Sequence, residues 1–311
     1  MLKKKLLLFI LIILQLNYSL NENLDKSLEK NNKNSSNNNA NYLNVFSLGK
    51  IILFLFLLLF IFIIYTVIRN TEIKNRTLEA AFSAIKKNFK LKELDISPFE
   101  KITVYKIMTF HSKVNYIEGI GVLSFMTVNM GIMQMITFMI DPFEKDLPLL
   151  SMDFIYMFGK RKIIVEVYDL VIDKENNKYK NFIKKIEKIN NDNSNLGIFE
   201  LKKSWNFAFH AFLIHKSGTA KNDGQISNIF KESVESYIEF SKEMPELNKD
   251  DKEKKYTLIK DLSDQFIEKG GIAVNVFKKS FGEENTRKIL GKICFGYLHF
   301  KKNKNSKEKN E

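Results

Sequence analysis

The spacing of apolar residues changes character along this chain and divides it into parts. Residues 51–68 are eighteen positions of Ile, Leu, Phe and Val, with Tyr65 and Thr66 near one end and no charge. As a helix this run extends roughly 27 Å, the thickness of a bilayer's hydrocarbon core. Residues 71–90 then read as an amphipathic helix, with Leu78, Ala81, Phe82, Ile85 and Phe89 on one face, and Ser97-Pro98 breaks it. Beyond it, β formers and a period near two predict strands over 101–110, 114–125, 130–140, 149–158 and 162–170. Gly119 and Gly121 punctuate the second, a loop from Pro142 to Pro148 joins the third and fourth, and Gly159-Lys160 makes a tight turn. Connections this short favour antiparallel neighbours. A helix over 181–189 and a strand over 205–214 follow. The helical period then returns over 226–244, ended by Pro245, and over 256–269, closed by Gly270-Gly271, with two further helices over 273–279 and 284–300. Strands grouped first and helices last predict an α+β fold, an antiparallel sheet packed by helices.

The ends of the chain are of another kind. Lys3-Lys4-Lys5 precedes a short apolar run, so residues 1–20 read either as a signal peptide or as a first hydrophobic helix. Residues 21–48 are rich in Asn, Ser and Lys, a composition that favours disorder, as does that of the charged tail 301–311. The domain organisation expected is therefore 1–20, 21–48, a transmembrane helix over 49–69, one domain over 70–300, and the tail. Arg69, Lys74, Arg76, Lys86 and Lys87 follow the apolar run. The positive-inside rule then puts the C-terminal domain on the cytoplasmic side, in a single-pass or a two-pass protein.

Composition narrows the classes of function. Forty-nine Lys and Arg against thirty-six acids give a formal charge of +13, which suits an anionic membrane surface or an acidic protein partner. The bases are spread along the chain and no nucleic-acid-binding motif accompanies them, so no nucleic-acid partner is expected. A single cysteine, Cys294, leaves no intrachain disulfide and no cysteine-based metal site. The four histidines show no ligand spacing. His210 and His215, five apart in a predicted strand, point to opposite faces. No metal site is expected.

One acid stands out. Asp153 interrupts an otherwise apolar strand, Leu149-Leu-Ser-Met-Asp-Phe-Ile-Tyr156. A carboxyl there is costly unless it is paired, hydrated or used. It follows Leu147-Pro148 and precedes Phe158-Gly159-Lys160 and Tyr168-Asp169-Leu170. Further on come Trp205-Asn-Phe-Ala-Phe-His-Ala-Phe-Leu-Ile214, the aromatic helix from Phe230 to Phe240, Phe281-Gly282-Glu283, and Ile293-Cys294-Phe295. In order and spacing this series resembles the ferredoxin-dependent bilin reductases, relatives of the red chlorophyll catabolite reductases, over about residues 99–300.

That resemblance implies a three-layer α/β/α sandwich with a central antiparallel sheet. It implies a linear tetrapyrrole such as biliverdin as substrate, held between the sheet and the C-terminal helices. Ferredoxin supplies single electrons and no cofactor is bound. Asp153 falls on the family's proton-donating acid. Where the family has a His or Asn on the preceding strand, this chain has Thr137, and its Asn-Asp and Arg pairs correspond to Gly270-Gly271 and to Val274 and Asn275. The substrate-binding residues expected are Thr137, Met139, Met152, Phe154, Arg161 and Phe212. The Lys160-Arg161-Lys162 tip is either a solvated turn or a contact for a propionate or an acidic ferredoxin. The methionines at 126, 130, 133, 135 and 139 are either adaptable core or a lining for a flat ligand. The reading is thus a membrane-anchored oxidoreductase, with a noncatalytic tetrapyrrole-binding or scaffolding membrane protein as the alternative.

Overall fold

The computed structural model describes residues 39–106, 108–130, 133–201, 205–296 and 299, with side chains from residue 50 onward except at 272 and 273. The expectations for residues 1–20 and 301–311 lie outside the described residues. The chain forms two compact units, Met1–Phe62 and Ile63–Glu311. The described part of the first is the start of helix α1 (Asn39–Asn88), which continues into the second. α1 is long and apolar enough to cross a membrane by length and composition, and most of the side chains of residues 51–62 are exposed.

Among the described residues of the second unit, nine strands form one sheet: β1 (Leu91–Glu93), β2 (Lys101–Val104), β3 (Met108–Ile117), β4 (Gly121–Met130), β5 (Met133–Pro142), β6 (Leu149–Met157), β7 (Lys160–Tyr168), β8 (Gly197–Ile198) and β9 (His210–Thr219). Their order is β1-β3-β4-β5-β6-β7-β9-β8, with β2 also paired to β3, and every pairing is antiparallel. The run expected as one strand over 101–110 is instead a hairpin. Its turn holds Tyr105 and Lys106 at φ of 51° and 60°. Trp205–Phe209, expected as strand, is a 3-10 turn that leads into β9.

Helices cover both faces, as an α+β three-layer sandwich requires. One face is packed by the second half of α1, by α2 (Asn177–Asp192) and by α3 (Asp223–Glu243). Its core joins Phe138, Phe154, Val165 and Ile214 of the sheet to Ala81, Ile85, Phe182, Ile186, Phe230 and Tyr237, with Phe138 edge-on to Phe230 at 5.3 Å. α4 (Lys249–Lys269) and α5 (Ile272–Ile293) pack the other face, where Phe110, Val122 and Val128 meet Ile259, Leu262, Phe277 and Ile289. The two helices expected over 273–279 and 284–300 run as one element, broken in its backbone at Gly282 (φ 77°, ψ 170°).

Polar ties fix α1 and α4 to the sheet. Asp223 of α3 accepts from buried Arg161 of β7 at 2.5 Å and from Arg69 of α1 at 3.1 Å. Gln134 of β5, fully buried, donates to Thr71 Oγ1 at 2.9 Å, and Thr77 bonds Ser227 at 2.8 Å. On the other side the ammonium of Lys255 is completely buried. It donates to the carbonyls of Leu147 and Leu170 and lies 3.4 Å from Asp146 Oδ1, while Asp146 accepts the N–H groups of Ile172 and Asp173. Burial draws the Lys255 pKa down to about 8, against the pull of Asp146. Lys255 thus clamps the loop after β5 to the end of β7. Removing it leaves a buried carboxylate and two carbonyls without their donor, a loss of ~3 kcal/mol or more. Denaturant unfolding of Lys255→Ala in detergent should show that deficit.

Candidate functional site

Burial along β5, β6 and β7 alternates residue by residue. Ile136, Phe138, Ile140, Met152, Phe154, Ile163 and Val165 are sealed beneath α1, α2 and α3. Their neighbours Met133, Met135, Thr137, Met139, Asp153, Ile155, Ile164 and Glu166 are only half-buried. Successive strand residues point to opposite faces. The half-buried set is therefore a surface on the α4/α5 side that those helices leave partly uncovered. Cross-strand pairing extends it to Leu213, opposite Glu166, and His215, opposite Ile164, on β9.

The polar groups of this surface gather around Asp153. Thr137 stands directly across from it in the β5–β6 register and donates its hydroxyl to Asp153 Oδ1 at 2.6 Å. Glu166 lies on the neighbouring strand β7, and its Oε1 is 3.3 Å from His210 Nε2. The His210 side chain is 5% exposed, and neither ring nitrogen has a hydrogen-bond partner among the described residues. Its ring sits edge-on to Tyr168 at 4.6 Å, and Asn206 donates to the Tyr168 hydroxyl at 3.1 Å. Loss of hydration pushes the Asp153 pKa up to about 7; the charge of Glu166 adds to the rise and the Thr137 hydrogen bond opposes it. Burial, then the charge of Asp153, pushes the Cys294 thiol up to about 12, so it stays protonated beside this cluster. Burial and then Glu166 raise Tyr168 well above the ordinary phenol range. The arrangement is a half-open apolar surface with a carboxylic acid that both holds and releases its proton near neutrality.

Of the residues expected to bind a substrate, Thr137 and Met139 share this surface with Asp153. Met152, Phe154, Arg161 and Phe212 do not: the period of two turns them to the sealed face. Met152 and Phe154 are fully buried there, and Phe212 packs on the same core. Arg161, expected at a hairpin tip, is 1% exposed and paired with Asp223. The histidines also need correction. A β-bulge in β9 pairs His210 with Tyr168 and His215 with Ile164, and Tyr168 and Ile164 share one face, so both histidines lie on the Asp153 side. Glu166, Tyr168 and His210 were not among the residues expected at the site. The alternation Lys162, Ile164, Glu166, Tyr168 along β7 was the signal available for the first two; the bulge hid the third. Trp205 donates its indole N–H to Gly270 O at 2.8 Å and packs on Phe266, a structural tie. Among the described residues no group of three or more His, Cys, Asp or Glu side chains is placed to hold a metal ion. A groove of about 640 Å³ on the opposite face, between α1 and the outer strands, shares no residue with the Asp153 cluster.

The fold is thus an antiparallel α/β/α sandwich with an acid-bearing, incompletely covered face. It is similar to the crystal structure of phytochromobilin synthase from tomato in complex with biliverdin, with a TM-score of 0.61 and 15% identity, over 72% of this chain and 83% of that one. No family model and no curated protein matches the chain. At this identity the likeness shows the fold.

The Asp153 environment makes a prediction about stability. The folded carboxyl holds its proton up to about pH 7, against an ordinary value of 3.8. The folded state therefore binds more protons in between, so this contribution is full below about pH 4 and is lost as pH rises through 7. Asp153→Asn abolishes the titration. Relative to the variant, wild type should lose about 2–4 kcal/mol between pH ~4 and ~8, at ~1.4 kcal/mol per pKa unit. Parallel unfolding curves at the two pH values would show that Asp153 is not held in this way.

Proposed function

We propose that this protein binds an open-chain tetrapyrrole on the half-open face of the sheet and reduces it while anchored to a membrane. The observation that carries the reading is Asp153, a protonatable acid set among Met133, Met135, Met139, Ile155 and Ile164. A flat conjugated ligand with basic ring nitrogens suits such a surface. The likeness to a tomato enzyme crystallised with biliverdin supports the same class of ligand.

In this reading the chain's own residues supply position and protons. The methionines and Ile155 bury the ring faces and keep water from them. Asp153, about half protonated at neutral pH, passes its proton to a ring nitrogen or carbon as electrons arrive. Thr137 fixes the orientation of the carboxyl and steadies the carboxylate left behind. His210 and Glu166 lie on the same surface, 3.3 Å apart. Electrons come one at a time from an external ferredoxin, with no bound cofactor. A noncatalytic tetrapyrrole-binding or scaffolding role on the same surface is favoured by one observation: Thr137 occupies the place of the family's His or Asn.

Biliverdin titration of the full chain in detergent, followed by absorbance, tests the ligand. Saturable binding with a spectral shift is expected, and no shift at any concentration contradicts the proposal. Reduced ferredoxin then separates enzyme from binder. Asp153→Asn should keep biliverdin while turnover falls ~100-fold, the scale of losing a general acid. An unchanged rate would remove Asp153 from the chemistry.

Ferredoxin is an acidic protein and this chain carries +13. Turnover should therefore fall steeply between ~50 and ~500 mM salt, as the Debye length shrinks from roughly 14 to roughly 4 Å. A rate indifferent to salt, or supported equally by a nicotinamide nucleotide alone, speaks against a ferredoxin donor.

A further inference from the structure

The strand register draws one line across the sheet. Thr103, Thr109, Asn129, Gln134, Tyr156, Arg161 and Gly218 are successive cross-strand partners from β2 to β9. The connections just beyond this line therefore end level with one another. They include the β2–β3 turn at Tyr105-Lys106, the β6–β7 turn at Phe158-Gly159 and the 3-10 turn Ala220–Asn222 after β9. α1 meets the same line. Gln134 donates to Val67 O at 3.2 Å, and Arg69 donates to Ala220 O at 2.9 Å. Further along α1, Phe82 packs on Phe125, deeper in β4, at 6.0 Å, and Leu91 after the helix pairs with Ile117 at the other end of β3. The helix thus runs from this end of the sheet toward the other. Residues 63–66, the uncharged stretch before Val67, leave the sheet beside the turns.

These turns are apolar where the fold gains nothing from it. Among the described residues outside α1, the exposed large apolar side chains are Tyr105, Met157, Phe158 and Ile198, and the first three stand at this end. Tyr105 and Phe158 hold φ of 51° and 52°, a left-handed conformation suited to Gly or Asn. An aromatic at such a turn, 57% or 48% exposed, strains the backbone and leaves its ring wet. The two turns are three strands apart, ~14 Å. A level row of separate apolar points suits a plane rather than a partner's pocket.

Charge sorts the same way. Within residues 103–109, 129–134, 156–161 and 218–222 every charged residue is a base: Lys106, Lys160, Arg161 and Lys221. The three lysines are exposed, while Arg161 joins Arg69 in neutralising Asp223. Glu72 is an exposed acid on the adjoining stretch of α1. The connections at the opposite end of the sheet are mainly acidic, with Glu118, Glu144, Asp169 and Glu175.

The level of the line along α1 specifies the plane. The uncharged run ends at Ile68, so the hydrocarbon boundary of a bilayer falls near Val67 and Arg69, where α1 meets the line. Phe158 comes two residues beyond Tyr156 and Tyr105 two beyond Thr103, a reach of up to ~7 Å. Apolar side chains that lie in the interface sit at this depth, and Tyr and Lys suit the headgroup layer.

We propose that this end of the sheet docks on the bilayer that α1 enters. Tyr105, Met157 and Phe158 enter the acyl boundary, and Lys106, Lys160 and Lys221 meet anionic headgroups. A domain held by one helix is free to swing; a row of contacts at the sheet's end fixes its direction from the membrane. Docking rests on α1 crossing a membrane and is independent of the tetrapyrrole reading.

The test places the full chain in lipid nanodiscs whose acyl chains carry bromine, which quenches tryptophan on contact. Trp205, the chain's single Trp, precedes β9 at the opposite end, ~30 Å from Thr219, and is the internal reference. Phe158→Trp and Tyr105→Trp should each lose most of the added emission, and more of it in anionic than in neutral nanodiscs. In the Phe158→Trp protein, Lys160→Gln and Lys221→Gln should each lower the docked-to-free ratio about 5-fold in anionic nanodiscs. Glu118→Trp, exposed at the far end, should stay as bright as in unbrominated lipid. Tyr65→Trp reports on α1 itself. If Tyr65→Trp is quenched while Phe158→Trp and Tyr105→Trp stay as bright as Glu118→Trp, the sheet's end does not dock, and the proposal is overturned with the anchor intact. If Tyr65→Trp is unquenched as well, α1 is not in the bilayer, and anchoring and docking fail together.

Discussion

Everything distinctive in this structure follows from a sheet that is sealed on one face and incompletely covered on the other. Three helices lie against the first face and leave its central residues dry, from Phe138 and Phe154 to Val165 and Ile214. This burial, at ~25 cal/mol per Å² of apolar surface, fixes the register of every central strand, because a slip of one residue would carry the apolar set to the wrong side. Once the sealed face is set, the opposite face is set too. Thr137, Asp153, Ile164 and Glu166 have no freedom in where they point; each is the alternate of a core residue.

The same constraint explains the chemistry of Asp153. The carboxyl stands on a face that is dry enough to resist ionisation and open enough to meet a ligand. Glu166, one strand away, raises its affinity for a proton further, and Thr137 moderates the effect. On the sealed face the comparable problem is solved differently. Arg161 is also carried inward by strand alternation, and Asp223 neutralises it, shared with Arg69 of α1. That shared carboxylate ties β7, α3 and the Arg69 turn of α1 together.

Much of the fold was legible in the sequence. The antiparallel sheet, the helices at the end and the amphipathic second half of α1 follow from period and breakers alone. The hairpin at Tyr105–Lys106 was missed because no Gly or Asn marks its positive-φ residues. Half of the site was legible, and for a physical reason. Asp153 betrays itself as a charge in an apolar strand, and Thr137 pairs with it through a register set by the core. Met152, Phe154, Arg161 and Phe212 are close to the site along the chain, but adjacency within a strand means opposite faces. His210 needs the bulge in β9 to reach the Asp153 side, and a single-residue insertion into a strand leaves no mark in the hydrophobic pattern.

The central claim is that the incompletely covered face is where the ligand lies, and oxidation footprinting of methionine tests it most directly. In the full chain treated with dilute peroxide, Met133, Met135 and Met139 should oxidise while Met152, on the sealed face of the same sheet, stays reduced. Saturating biliverdin should then protect the first three and leave Met152 unchanged. Oxidation of Met152 at a comparable rate would contradict the one-sided sealing. Unaltered oxidation of Met133, Met135 and Met139 in the presence of bound biliverdin would place the ligand elsewhere.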